Sequence, residues 1–192
     1  MKFHVALFIV TTTIAAGSAA AQSQKPTDPS HDSQHHEMMQ GLTDAPFVQM
    51  MSKHHQQGIE MARTEEERGA SASVKQLATK IRQSQEKELA ELKGHSEHHA
   101  GATGTSGSSE HDKMMDQQGQ AMMSSLKSAS GAALDHAFLE QMAKHHQMAI
   151  SMTESAKLQD PALKTLALKM IAGQRQELNE LKKELSSHGA AK

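Results

Sequence analysis

The amino-acid sequence predicts an all-α protein, an antiparallel four-helix bundle built from two repeated helical hairpins. Residues 47–61 recur at 138–152 without a gap, and both copies place apolar residues at helical spacing. After a short break, each copy is followed by a second amphipathic segment. Four helices of about 36 Å joined as two hairpins would bury their apolar stripes side by side. We therefore expect two-fold pseudosymmetry between residues 44–94 and 135–187.

The repeated segment places histidine and methionine on faces that should point into the core. On a helix, 4-3-4-3 spacing forms one stripe, and a second apolar stripe lies beside it. The first stripe carries His54 in one copy and His145 in the other, and the second carries His55 and His146. The first stripe consists of Phe47, Met51, His54, Gly58 and Met61, repeated as Phe138, Met142, His145, Ala149 and Met152.

Four inward imidazoles need partners. Burying them without partners would cost a few kcal/mol each. A metal ion is the first explanation, and a network with core carboxylates and amides is the second. Ordinary core packing, with methionine filling gaps, is the simplest alternative for any one of these side chains.

The first hairpin has recognisable helix boundaries. Asp44 is the predicted N-cap of the first helix, with Pro46 in the first turn and Gly69 as the stop. Ser71 or Ser73 should cap the second helix, which we expect to end at Gly94.

The second hairpin repeats the pattern with a connecting turn two residues shorter. The third helix is predicted to start at Asp135 and to end near Lys157, and Asp160-Pro161 should open a fourth helix that runs to about Ser187. The second and fourth helices align at an offset of 89 residues. Each carries polar residues inside its apolar arc: Gln85 and Glu88, repeated as Gln174 and Glu177.

The first 21 residues read as a secretory signal peptide. Lys2 precedes a short apolar run, and Ala19-Ala20-Ala21 fits the small-residue cleavage rule, so the mature chain would start at about Gln22. An uncleaved anchor is the alternative. Residues 22–43 form a polar lead that we expect to be disordered, either as a solvated tail or as a metal-collecting arm.

Residues 95–133 are predicted to form a His- and Met-rich linker. Its first part is rich in Gly, Ser and His, and an amphipathic piece at 110–127 could dock on the bundle or form only with metal. The lead and the linker supply auxiliary metal candidates: His35, His36, Met38, Met39, His95, His98, His99, His111, Met114 and Met115.

Composition narrows the chemistry. The chain has 14 Met and 14 His but no Cys, Trp or Tyr, which excludes disulfides, thiolate zinc sites and cysteine catalysis. Thioether and imidazole are the ligands that remain for copper or silver in an oxidising compartment. A net charge of −2 and two Phe beyond the signal segment give no basis for nucleic-acid binding.

The repeated motif resembles the CopM-like family of exported bacterial proteins of the copper-resistance kind. The resemblance covers both halves, although Ser151-Met152-Thr153 stands in the second copy where the family has Met-Ala. It implies a ferritin-like four-helix fold and periplasmic binding of copper or silver through Met and His. The residues that carry it are Asp44, Phe47, Met51, His54, His55, Gly58, Ile59, Met61 and Ala62, then Ile81, Gln85 and Glu88.

Spacing alone also favours shared ions. Met51 lies one helical turn from both His54 and His55, so the three side chains can meet one ion. Mixed His/Met sets suit Cu(I), and His-rich sets accept Cu(II). Four polar side chains would orient the imidazoles by hydrogen bonding to them without contacting the ion: Gln85, Glu88, Gln174 and Glu177. The alternative for Glu88 is a hydrogen-bonded core group. The predicted ligands are Met51, His54, His55, Met61, Met142, His145, His146, Met148 and Met152.

We therefore expect a metal-binding protein, not an enzyme, that serves metal sequestration, tolerance or transfer. Its expected partners are copper or silver ions and other periplasmic copper-handling proteins, with no membrane span after signal cleavage. A structural or partner-binding bundle without metal is the alternative. A di-iron carboxylate enzyme is disfavoured because no Glu is followed by His three residues later.

Overall fold

The computed structural model of the protein describes residues 41–99 and 108–189, and the side chains of residues 96–99, 108–112 and 189 are not described. The predicted signal peptide and nearly all of the polar lead lie outside these ranges. Within these ranges every named secondary-structure element is an α-helix, as predicted. The five helices are α1 (Asp44–Arg68), α2 (Ala72–His99), α3 (Ser108–Ser128), α4 (Ala132–Ser155) and α5 (Pro161–Gly189).

Four of the helices form the bundle. α1 pairs with α2 and α4 pairs with α5 as the two hairpins, and the hairpins meet through α1 against α4 and α2 against α5. All four helices pass through the same two apolar clusters, α1 and α5 in one direction and α2 and α4 in the other. This alternation is the antiparallel bundle that the repeat predicts.

A polar layer separates the two apolar clusters at mid-length of the bundle. One cluster contains Phe47 and Leu163, and the other contains Phe138 and Val74. Each bundle helix contributes one section to each cluster and two polar residues between them, because both halves carry the same sequence pattern. The polar layer consists of His54, His55, Gln85, Glu88, His145, His146, Gln174 and Glu177, of which all but Glu88 are buried.

The aspartate that leads each repeat does not cap its own helix, so the predicted N-cap role of Asp44 is wrong, as is the predicted start of the third helix at Asp135. Thr43 precedes α1 without a side-chain cap, and α4 starts three residues before Asp135. Each carboxylate instead accepts two backbone N–H groups from the turn of the other hairpin. Asp44 accepts from Gln159 (2.7 Å) and Asp160 (3.1 Å).

Asp135 makes the matching pair of bonds with Ala70 (2.7 Å) and Ser71 (3.0 Å). A carboxylate can satisfy turn N–H groups across the bundle as well as within its own helix. Asp160 does act as a local cap, because its side chain accepts from the N–H of Ala162 at 2.8 Å.

Two helices depart from their predicted lengths. α2 continues to His99, five residues past Gly94, because Gly94 is tolerated inside the helix. The linker piece is a full helix, α3, which packs on α1 and α4 and buries Met115 and Leu126 completely. Gln57 of α1 donates to the Met115 carbonyl at 2.7 Å. Over residues 41–99 and 108–189, every helix is too short or too polar to cross a bilayer.

Candidate metal centre

The centre of the polar layer is a stacked pair of imidazoles from equivalent positions of the two repeats. The rings of His54 and His145 lie with their centroids 3.6 Å apart and their planes inclined by 27°. α1 supplies one ring and α4 the other, so the pair bridges the two hairpins. Both side chains are 1% exposed.

These two rings have unused nitrogens. Nε2 of His145 lies 3.0 Å from the carbonyl oxygen of His54, and because a carbonyl only accepts, Nε2 carries the proton. The lone pair is therefore on Nδ1 of His145, which has no hydrogen-bond partner among the described residues, and neither does either nitrogen of His54. Three buried ring nitrogens without partners are costly in a dry core.

The same pair is held neutral. Burial lowers the pKa of His54 well below 6.5, and the proximity of His145 lowers it further. Burial likewise lowers the pKa of His145, with His146 as the next cause. Neutral imidazole is the form that binds metal ions, so these two rings can bind a metal ion without first losing a proton.

His55 and His146 differ from their neighbours because both of their nitrogens are engaged. Nδ1 of His55 donates to the Met51 carbonyl at 2.9 Å, and Nε2 lies 2.7 Å from Oε2 of Glu88. His146 repeats the arrangement with the Met142 carbonyl at 2.9 Å and Oε2 of Glu177 at 2.8 Å. The fully bonded rings fix the orientation of the two helices. To bind an ion through Nε2, each would have to release its glutamate.

The amides of the polar layer show where the two halves differ. A Cβ added at Gly58 would lie 2.1 Å from Oε1 of Gln85 and 2.7 Å from Cε1 of His145. The missing side chain thus lets an amide and a ring approach α1. The equivalent position in α4 is Ala149. Gln174, the counterpart of Gln85, instead donates to Glu88 at 3.4 Å and leaves its own Oε1 unpartnered.

The predicted methionine ligands lie on both sides of the layer. Met51 and Met152 belong to one apolar cluster and Met61 and Met142 to the other, while Met148 is half-buried and packs against both. Each cluster therefore holds one ligand candidate from each repeat. A thioether needs no deprotonation to bind a soft ion.

Carboxylate-rich metal chemistry does not fit this layer. Over the described side chains, no three His, Asp or Glu residues are grouped as a metal site. The available donors are the free nitrogens of His54 and His145, the amide oxygens of Gln85 and Gln174, and the neighbouring thioethers. Nitrogen and sulfur donors fit Cu(I) or Ag(I) better than Mg²⁺, Ca²⁺ or a di-iron pair.

A protein-family model matches most of the chain. A model of a domain of unknown function, DUF305, matches residues 44–185. The chain belongs to the DUF305 family. The search of curated proteins gave no significant match.

Solved structures similar to this chain include a DUF305 fragment and CopM. A fragment from Deinococcus radiodurans is 27% identical, with 75% of this chain and 95% of that chain covered and a TM-score of 0.64. CopM in the Cu(II)-bound form is 25% identical, covers 77% of this chain and 98% of its own, and has a TM-score of 0.61. CopM in the Ag-bound form is 26% identical, with 76% and 96% covered and a TM-score of 0.59.

The auxiliary candidates of this DUF305 chain are only partly described. Met114 and Met115 are buried on α3 and join the cluster of Met51. His95 lies 3.5 Å from Asp160, away from the polar layer. The remaining auxiliary candidates lie outside the described side chains: His35, His36, Met38, Met39, His98, His99 and His111.

Sequence reasoning overlooked one buried ionisable residue, Glu65. It is fully buried near the end of α1, and neither carboxyl oxygen has an aligned hydrogen-bond partner among the described residues. The sequence does indicate this burial, because Glu65 continues the buried stripe of 4-3 spacing four residues after Met61.

Proposed function

We propose that this DUF305 protein binds soft copper or silver ions in the periplasm, for sequestration, tolerance or transfer to other copper-handling proteins. The observation that carries the proposal is the stacked, neutral His54–His145 pair with three unpartnered ring nitrogens inside a methionine-lined core. The similar structures titled CopM, solved with Cu(II) and with silver, support copper or silver as the ion.

The ligands enter the proposal in two groups. His54 and His145 would bind first, because their nitrogens are free and neutral. Thioethers of Met51, Met142 or their partners would complete the set from either side of the layer. His55 and His146 serve mainly to hold the helices, since both of their nitrogens are already bonded.

The proposal extends to the rest of the chain. Residues 1–21 would direct export and be removed, and residues 22–43 would form a His/Met arm. Residues 44–94 and 134–189 would be the two hairpins, with 95–133 as the linker. No catalytic role is proposed, because the four imidazoles are buried in a closed core that a substrate does not reach.

Native mass spectrometry of the full chain, loaded with Ag(I) at pH 7.5 and at pH 5, tests the function. Binding that depends on thioethers should persist at pH 5, since methionine has no proton to lose. Zn(II), which prefers nitrogen, oxygen and thiolate donors to thioether, should bind more weakly than Ag(I) at both pH values. A chain that keeps neither ion at either pH would instead be a structural or partner-binding bundle.

A further inference from the structure

A second buried polar group lies at the end of the bundle, distant from the imidazoles. Glu65 of α1 and Asp135 of α4 are 0% and 1% exposed. Glu65 is 11 residues from His54 on the same helix, which is about 16 Å along the axis. Glu65 is therefore distant from the stacked imidazoles.

Two contacts place both carboxyls at the same turn. Oε1 of Glu65 lies 2.0 Å from where a Cβ on Gly69 would stand, and Asp135 accepts the N–H groups of Ala70 and Ser71. The carboxyls are thus neighbours across the turn between α1 and α2. A glycine at position 69 is what leaves room for the glutamate.

The charges that face this pair do not neutralise it. Among the described residues, Lys75 of α2 is the cation that favours ionised Glu65. Arg68 of α1 is directed to the carbonyls of Lys127 and Ala129 at the end of α3. On the α5 side, Glu184 accepts from Ser73 of α2 at 3.2 Å.

We propose that Glu65 and Asp135 share one proton, and that this proton fastens the α1–α2 turn to the first turn of α4. Two ionised carboxylates side by side in a closed core would repel each other, whereas a protonated Glu65 can donate to Asp135. In the same direction, burial raises the pKa of Glu65 from 4.5 to about 8, and Asp135 adds to the rise.

The repeat supplies an internal control. Asp44 holds the Gln159–Asp160 turn with the same two bonds that Asp135 makes to its own turn. At the position equivalent to Glu65, 91 residues on, the chain has Ala156. Only one of the two turns is therefore fastened by a proton, and alkaline conditions should loosen that end of the bundle alone.

Proton linkage gives the direction in which pH changes the opening of the α1–α2 turn. The folded state keeps the proton on Glu65 up to about pH 8, while an opened turn releases it above about 4.5. Opening of the Asp135 turn should therefore become easier as pH rises from about 5 to 8, by up to about tenfold per pH unit for one proton, and should level off above that.

Amide hydrogen exchange by NMR on the full chain tests this. The protection of Ala70 and Ser71, divided by that of Gln159 and Asp160, cancels the intrinsic pH dependence of exchange. We expect the ratio to fall steeply up to about pH 8 in wild type and to stay flat in Glu65→Gln. Glu67→Gln, a change at an exposed neighbour, should keep the wild-type slope. His95, which lies by Asp160, is the same in all three proteins, so any effect it has on the reference turn cancels between them.

Carbon-detected titration of the Glu65 carboxyl in wild type gives a direct reading that needs no variant. A midpoint near 8 supports the shared proton. A midpoint below 5, or a protection ratio in wild type that does not change with pH, would overturn it.

Discussion

His54 and His145 stand 91 positions apart in the sequence and stack ring on ring across the α1–α4 contact. Their immediate neighbours, His55 and His146, turn the other way and bond to glutamates of α2 and α5. Adjacent histidines on one helix thus have opposite roles. The inner pair has free nitrogens, and the outer pair has none.

Substitution of His54 and substitution of His55 should therefore have opposite effects on the stability of the metal-free protein. His54→Leu removes a buried polar group that makes no hydrogen bond, so the metal-free protein should be unchanged or more stable by up to about 1 kcal/mol. His55→Leu removes the 2.7 Å partner of the half-buried Glu88 and should cost about 1–3 kcal/mol. Urea unfolding of both variants without metal measures the difference.

With Ag(I) at a hundredfold excess over the dissociation constant, wild type should gain about 2.7 kcal/mol. His54→Leu combined with His145→Leu should abolish that gain. If the double variant lost several kcal/mol in the metal-free state and silver never mattered, the imidazoles would be structural instead.

The lowered pKa values of His54 and His145 predict a loss of stability in acid. Below about pH 6.5 both imidazoles become protonated in the unfolded chain but stay neutral in the folded protein. The free energy of unfolding should therefore fall by up to about 1.4 kcal/mol per pH unit for each imidazole. Glu65 contributes the opposite slope between pH 4.5 and 8, so the comparison belongs in a Glu65→Gln background. In the Glu65→Gln background, adding His54→Leu and His145→Leu should remove the fall in the free energy of unfolding below about pH 6.5. An unchanged slope would mean that other groups cause the loss of stability in acid.

Gly58→Ala should weaken metal binding more than it weakens the fold. The new Cβ would displace the ends of Gln85 and His145, both of which are side-chain atoms that can move, while alanine favours the helix by about 1 kcal/mol. We expect a stability change within about 1 kcal/mol and an affinity for Ag(I) reduced by about 10- to 100-fold. Ala149→Gly, at the equivalent position, is the matched control and should leave affinity near wild type. Equal affinity in all three proteins would exclude Gln85 and His145 from the centre.

Gly119→Ala should detach α3 from α1. A Cβ there would lie 2.5 Å from Nε2 of Gln57, the side chain that bonds to α3. Exchange protection of α3 should fall even though alanine is the better helix former. Gly94→Ala has no heavy atom within 4 Å of its new Cβ and should only stabilise α2. If Gly119→Ala instead raises the exchange protection of its helix as much as Gly94→Ala does, the proposed detachment of α3 is wrong.

Periodicity was enough to predict the helices, the repeat and the inward histidines, because burial of a stripe is encoded locally at 3.6-residue spacing. The pairing of His55 with Glu88 could also be anticipated, since both fall on inward arcs of neighbouring helices. Glu65 was missed because it stands in a charged run, Glu65-Glu66-Glu67, that looks solvent-exposed unless the stripe is extended by one more turn.

Contacts between the hairpins were beyond such reasoning. An aspartate ahead of a helix predicts a local cap, and nothing in the local sequence distinguishes that from a carboxylate directed at a turn of the other hairpin. The stacking of His54 on His145, and the free nitrogens that result, likewise depend on how closely α1 approaches α4. That distance is set by packing along the entire interface.

The exchange of aspartates has an evolutionary consequence. Each hairpin completes the other's turn, as two identical subunits would across a two-fold axis. A half-length ancestor could have formed the same bundle as a homodimer. Two copies within one chain need not be identical, so glycine stands at 58 and alanine at the equivalent position 149, and glutamate stands at 65 and alanine at the equivalent position 156. Neither difference could exist in a symmetric pair of identical chains.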